Sequence, residues 1–83
     1  MDNELFIDVR RDDEWNDGHL DGALHFELAR LEQGELPDLK KDALIAVYCR
    51  RGIRAGQALR ILKKNGFTNV RNAGGYDDLR ERK

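Results

Sequence analysis

The sequence predicts an α/β fold: a small, doubly wound parallel sheet of about four to five strands with helices on both faces. Three observations predict it. Leu44 to Tyr48 is a short run, apolar on both faces, as a central parallel strand covered on both sides requires. A helical stripe follows it closely, with Ala55, Ala58, Leu59 and Leu62 spaced i, i+3, i+4, i+7. The whole chain then alternates strand-like and helix-like patterns, β-α-β-α-β-α-β-α, with connections long enough for crossovers. At 83 residues there is room for one small domain, residues 1–83.

Glu4 to Arg10 reads as the first strand, with Leu5, Phe6, Ile7 and Val9 supplying apolar surface. Asp8 and Arg10 lie at its carboxyl end. Asp8, flanked by Ile7 and Val9, suits a structural role such as fixing a nearby loop or arginine. Arg10 is open to a surface ion pair or to a role facing a substrate, and it counts among the candidate binding residues. Asp12-Asp13-Glu14-Trp15 begins a short helix whose acidic first turn suits the helix dipole, and Gly18 ends it. Trp15 is expected to anchor the core.

A glycine-bounded turn leads to a short second strand at about Ala23 to Phe26. Its histidines, His19 and His25, match no zinc spacing. Both are read as structural, with His19 left open to a role near the site. Leu28 and Leu31 mark one or two helical turns within Glu27 to Gln33, stopped by Gly34. Glu35 to Asp42, with the only proline at position 37, is a connection. After the helix that ends at Asn65-Gly66, Phe67 to Asn72 reads as a last strand and Ala73-Gly74-Gly75-Tyr76 as the turn at its carboxyl end. Tyr76-Asp77-Asp78-Leu79 starts a terminal helix.

Composition narrows the function. Net charge is -1 with acids and bases nearly balanced, which argues against a nucleic-acid partner. No apolar run is long enough to span a membrane, and no signal-peptide pattern is present. One cysteine cannot form an internal disulfide. A cytoplasmic monomer is the expectation, or a periplasmic one if a leader has been removed.

The candidate active site is the stretch where the apolar run meets the only cysteine, Cys49. Lone cysteines are often only small buried hydrophobes. Here the residue falls at the carboxyl end of a strand, where open α/β sheets form their ligand crevice. An arginine-rich, glycine-containing loop of Arg50, Arg51, Gly52, Ile53 and Arg54 follows and leads into a helix. Backbone N–H groups of residues 50 to 54 lack strand partners and are free to curl into an anion nest that favours a thiolate. The arginines add permanent positive charge. A nucleophilic thiolate with a terminal anionic sulfur or oxygen in its nest is the chemistry this pattern suits.

These residues also carry a resemblance. Ile7-Asp8-Val9-Arg10, Glu14-Trp15, Gly18-His19-Leu20, Gly22-Ala23, Val47-Tyr48-Cys49 with Gly52 and Arg54, Gly56, Ala58, Leu62, Gly66-Phe67, Val70 and Gly74-Gly75 form an ordered set across nearly the whole chain. In this set the chain resembles the single-domain rhodaneses, the thiosulfate sulfurtransferases, of the shortest bacterial kind. The resemblance implies a Cys49 persulfide, thiosulfate as test donor, and cyanide or a thiol as acceptor, with no metal or organic cofactor. Carried over by position, Cys49 is the nucleophile and residues 50 to 54 its cradle. The sequence departs from the family pattern at Leu24-His25-Phe26-Glu27, where an Asn and then a Pro are usual, which leaves the end of the second strand open.

Two other functions share these residues. Phosphatases and arsenate reductases on related folds carry the loop arginine one position later, in a roomier loop. Here it is Arg54, five positions after Cys49, and position 55 is Ala. A sulfur-carrier or docking module needs the same nest as the enzyme.

Overall fold

The computed structural model describes residues 3–81. Its elements run β1 (Leu5–Asp8), α1 (Asp12–Asn16), β2 (Leu24–His25), α2 (Leu28–Glu32), β3 (Ile45–Cys49), α3 (Ile53–Lys64), β4 (Val70–Gly75) and α4 (Tyr76–Glu81). The strands form one parallel sheet in the order β2-β1-β3-β4. The chain builds outward from β1 to β2, then crosses back to lay β3 on β1's other side. The carboxyl ends of β1 and β3 therefore flank the switch in winding direction, where such sheets open a crevice. Asp8 and Tyr48 are register partners there.

Side chains alternate across the pleat. Ile7, Ile45, Val47 and Cys49 join Leu28 and Leu31 of α2 and Ala55, Ala58 and Leu62 of α3 in one buried cluster. The opposite face of the sheet carries Asp8, Ala46 and Tyr48, all fully buried. Tyr48 stacks against Tyr76 at the start of α4, and its hydroxyl accepts the Leu20 N–H at 3.1 Å. Burial pushes the Tyr48 phenol well above its ordinary pKa.

Asp8 does what its apolar neighbours suggest. Its carboxylate is shielded from solvent and accepts from the Arg10 backbone N–H and from the Arg10 guanidinium at 2.7–3.0 Å. This ties the chain into a turn as it leaves β1.

Several boundaries differ from expectation. β2 closes at His25, although the Phe26 N–H still reaches the Asp8 carbonyl at 2.9 Å. β3 takes in Cys49 itself. α3 starts two residues before its apolar stripe, because Gly52 at φ +102° is its N-cap and Ile53 points to solvent. It ends as predicted: the Phe67 N–H returns to the Leu62 carbonyl and the Gly66 N–H to that of Lys63, the paired bonds of a glycine-terminated helix. β4 lies later than the predicted 67–72. Phe67 is a buried loop residue, and the glycine pair belongs to the strand. Trp15 is half-buried and stacks with two imidazoles, parallel to His19 at 3.5 Å and to His25 at 4.7 Å, outside the main apolar cluster. Among the described residues no helix is long and apolar enough to cross a membrane.

Candidate active site

Cys49 is the last residue of β3 and is 1% exposed. The turn that follows is short because Gly52 adopts a left-handed conformation, which reverses the backbone within three residues of the sulfur. As a result the Gly52 N–H donates to Sγ at 3.0 Å and the Ala55 N–H at 3.4 Å. The donors are the N-cap and the third residue of a 12-residue helix, whose other N-terminal N–H groups also lack helical partners. Both donors are held by the backbone at the helix start and converge on the sulfur.

The nest differs in one detail from the predicted cradle of residues 50 to 54: its second donor is Ala55. The missed signal is the early start of α3, which the apolar stripe does not report because Ile53 is 75% exposed.

Cys49, Arg50, Arg51, Ile53 and Arg54 line a cavity of about 170 Å³. The structure thus brings together Cys49 and the predicted loop, with Gly52 as the pivot beneath. The three arginines are not equivalent. Arg50 and Arg51 are exposed, and among the described residues neither has a carboxylate partner. The Arg54 fork is committed to Glu14, at 2.7 and 3.0 Å. That pair ties the first turn of α3 to α1. The Arg54 guanidinium, helped by the Arg11 N–H and opposed by burial, holds the Glu14 carboxyl at a pKa of about 2. Arg54 is therefore largely neutralised, and Arg50 and Arg51 supply the free positive charge at the mouth.

Arg10 does not join this cavity. It is 3% exposed, and its guanidinium donates to Asp8 and, at 2.7 Å, to the Gly18 carbonyl. It lies over the Tyr76 ring at 4.5 Å and lines a neighbouring cavity of about 230 Å³ that also takes in Arg50. Of the two roles left open for Arg10, the structure shows the ion pair, buried rather than at the surface. The cause is Asp8, which sits two residues away on the same buried face.

Two supports of the loop lie in β4. A bulge between Val47 and Tyr48 lets Asn72 and Gly74 pair with consecutive residues of β3. Asn72 accepts the Gly74 N–H at 2.8 Å and donates to the Gly52 carbonyl at 2.9 Å, bracing the pivot of the nest. Gly75 lies beside Cys49, directly under the loop. A side chain there would run into the Arg50 carbonyl oxygen and come within 3.2 Å of the Arg51 Cα. The sequence flags the glycine pair as lying beside the crevice, but carries no local sign of Glu14 or Asn72, whose partners are 40 and 20 residues away.

Residues 1–82 match the family described as Rhodanese-like domain. The thiosulfate sulfurtransferase PspE of Escherichia coli is 37% identical over 79 residues, covering 92% of this chain and 74% of that protein. Among solved structures, the human single-domain sulfurtransferase TSTD1 superposes with a TM-score of 0.85 at 26% identity, over 96% of this chain and 83% of its own. An Escherichia coli rhodanese with anions gives 0.74 at 36% identity, over 92% and 91%.

Proposed function

The chain belongs to the rhodanese-like domain family, and from that premise we propose that it is a sulfurtransferase, moving a sulfane sulfur from thiosulfate or a similar donor to cyanide or a thiol through a persulfide on Cys49. The observation that carries this reading is the pair of N–H groups, from Gly52 and Ala55, aimed at the only thiol. The Escherichia coli relative PspE is a thiosulfate sulfurtransferase.

The reaction has two halves. In the first, the Cys49 thiolate attacks the outer sulfur of thiosulfate. A new S–S bond forms as the old one breaks, and sulfite leaves with the electron pair. The transferred sulfur then sits about 2 Å beyond Sγ, within the small cavity and close to the N–H groups of the loop. In the second half, cyanide or a thiolate attacks that outer sulfur. The Cys49 thiolate departs, and thiocyanate or a new persulfide is released. Both steps balance without a cofactor.

Arg50 and Arg51 draw in the dianionic donor and steady sulfite as it leaves. Arg54 acts as a positioning residue through Glu14, and Arg10 through Asp8. The same pairing of Arg54 counts against a phosphatase or arsenate reductase, which needs its loop arginine free to clamp an oxyanion.

One observation favours a second reading, a sulfur carrier loaded by a protein partner. Ile53 is 75% exposed on the lip of the cavity, as a docking contact would be. Steady-state thiocyanate formation from thiosulfate and cyanide separates the two. The enzyme gives sustained turnover with parallel double-reciprocal lines, the pattern of a ping-pong mechanism. A single round of loading followed by no turnover would replace the enzyme with the carrier.

A further inference from the structure

We propose that Asp12, His25 and Glu27 form a binding site for one divalent metal ion of the zinc class. The spacing of His19 and His25 offers no such site, but the fold assembles one from other partners. A ring nitrogen of His25 and a carboxylate oxygen each from Asp12 and Glu27 lie within 4.8 Å of one another. They come from three places that the sheet brings together: the start of α1, the end of β2 and the residue preceding α2.

The histidine is prepared for coordination. Its Nε2–H donates to the Arg10 carbonyl at 2.8 Å, which fixes the tautomer and leaves a lone pair on Nδ1. A backbone carbonyl on the far nitrogen is the usual outer partner of a metal-bound histidine. Nδ1 faces Asp12 Oδ1 at 3.6 Å, too far for a good direct hydrogen bond. A dication between them bonds to both atoms. Donors around a tetrahedral ion with bonds of about 2 Å stand roughly 3.3 Å apart, so small side-chain rotations close the site. Asp12, with its side chain 81% exposed, is free to make them. The parallel Trp15 ring at 4.7 Å holds the imidazole plane. Glu27 is held in place because its carboxylate accepts the Asp12 N–H at 2.8 Å.

Two carboxylates and a neutral imidazole match a divalent charge, and the mixed nitrogen–oxygen set suits zinc or nickel over magnesium or calcium. The site is independent of the sulfur-transfer reading, because none of its residues lines the Cys49 cavity.

Trp15, the only tryptophan, supplies the readout. Ni²⁺ is titrated into the Cys49→Ser protein, which has no thiol to compete, while Trp15 emission is followed. Saturable quenching at one equivalent is expected, with Zn²⁺ displacing Ni²⁺. Glu27→Gln keeps an oxygen to accept the Asp12 N–H, so it leaves the fold intact, and it is expected to weaken binding about tenfold, as is Asp12→Asn. His19→Gln is expected to leave binding unchanged. Absence of saturable quenching, or quenching that survives Glu27→Gln and disappears in His19→Gln, overturns the proposal.

Discussion

Glu14 is a buried acid whose charge the loop around Cys49 depends on. Its carboxylate holds the Arg54 fork, and its pKa of about 2 against an ordinary 4.5 measures how far the fold favours the ionised form. A depressed carboxyl pKa contributes stability that is fully present above about pH 4.5 and is lost as the pH falls towards 2. Replacing Glu14 by Gln is expected to cost on the order of 2 kcal/mol at neutral pH. Urea unfolding at a series of pH values checks this. The gap between native and Glu14→Gln proteins is expected to close as the pH falls through that window, and parallel profiles would contradict the assignment. Beyond its place in the family pattern, nothing near Glu14 in sequence marks its role. It stands in an acidic first helical turn where charge usually faces water, and its partner lies 40 residues on. Cys49 was legible for the opposite reason: strand end, loop glycine and basic residues fall within six consecutive positions.

Elements were legible where one hydrophobic period dominated. β3 and the body of α3 follow from the apolar run and the stripe. Their junction does not, because the helix start is set by the left-handed Gly52 and the exposed Ile53 carries no stripe signal. β4 is the clearest case of tertiary context overriding propensity. Glycines disfavour strands, yet Gly74 and Gly75 pair with Tyr48 and Cys49: Gly74 takes a φ of +98°, and Gly75 passes beneath the loop where a side chain would meet the Arg50 carbonyl. This makes Gly75 a prediction at the scale of the element. Gly75→Ala forces the loop away from β4 and displaces the Gly52 N–H from the sulfur. Sulfur uptake by Cys49 is expected to slow by about a hundredfold, the usual consequence of moving a catalytic group by about 1 Å. Uptake kinetics together with circular dichroism check it. A folded Gly75→Ala protein with a native rate would show that the close contact has no part in the chemistry.

At the scale of the molecule, topology does most of the work. Alternating strands and helices make a parallel sheet with an early switch in direction, and that switch puts the carboxyl ends of β1 and β3 side by side. The first end carries the Asp8–Arg10 clamp, which holds the Arg10 guanidinium against its own strand end. The second end is open and carries the thiol. A chain of net charge -1 thus presents unpaired Arg50 and Arg51 at one spot, a local field suited to a small dianion even though the whole protein is nearly neutral. On the proposed function, this spot carries sulfur on Cys49. The most direct test is the intact mass of the reduced protein after thiosulfate and then after cyanide. The expected result is a gain of one sulfur atom that cyanide removes and that Cys49→Ser never acquires. An unchanged mass after thiosulfate, or a gain that persists in Cys49→Ser, would contradict it.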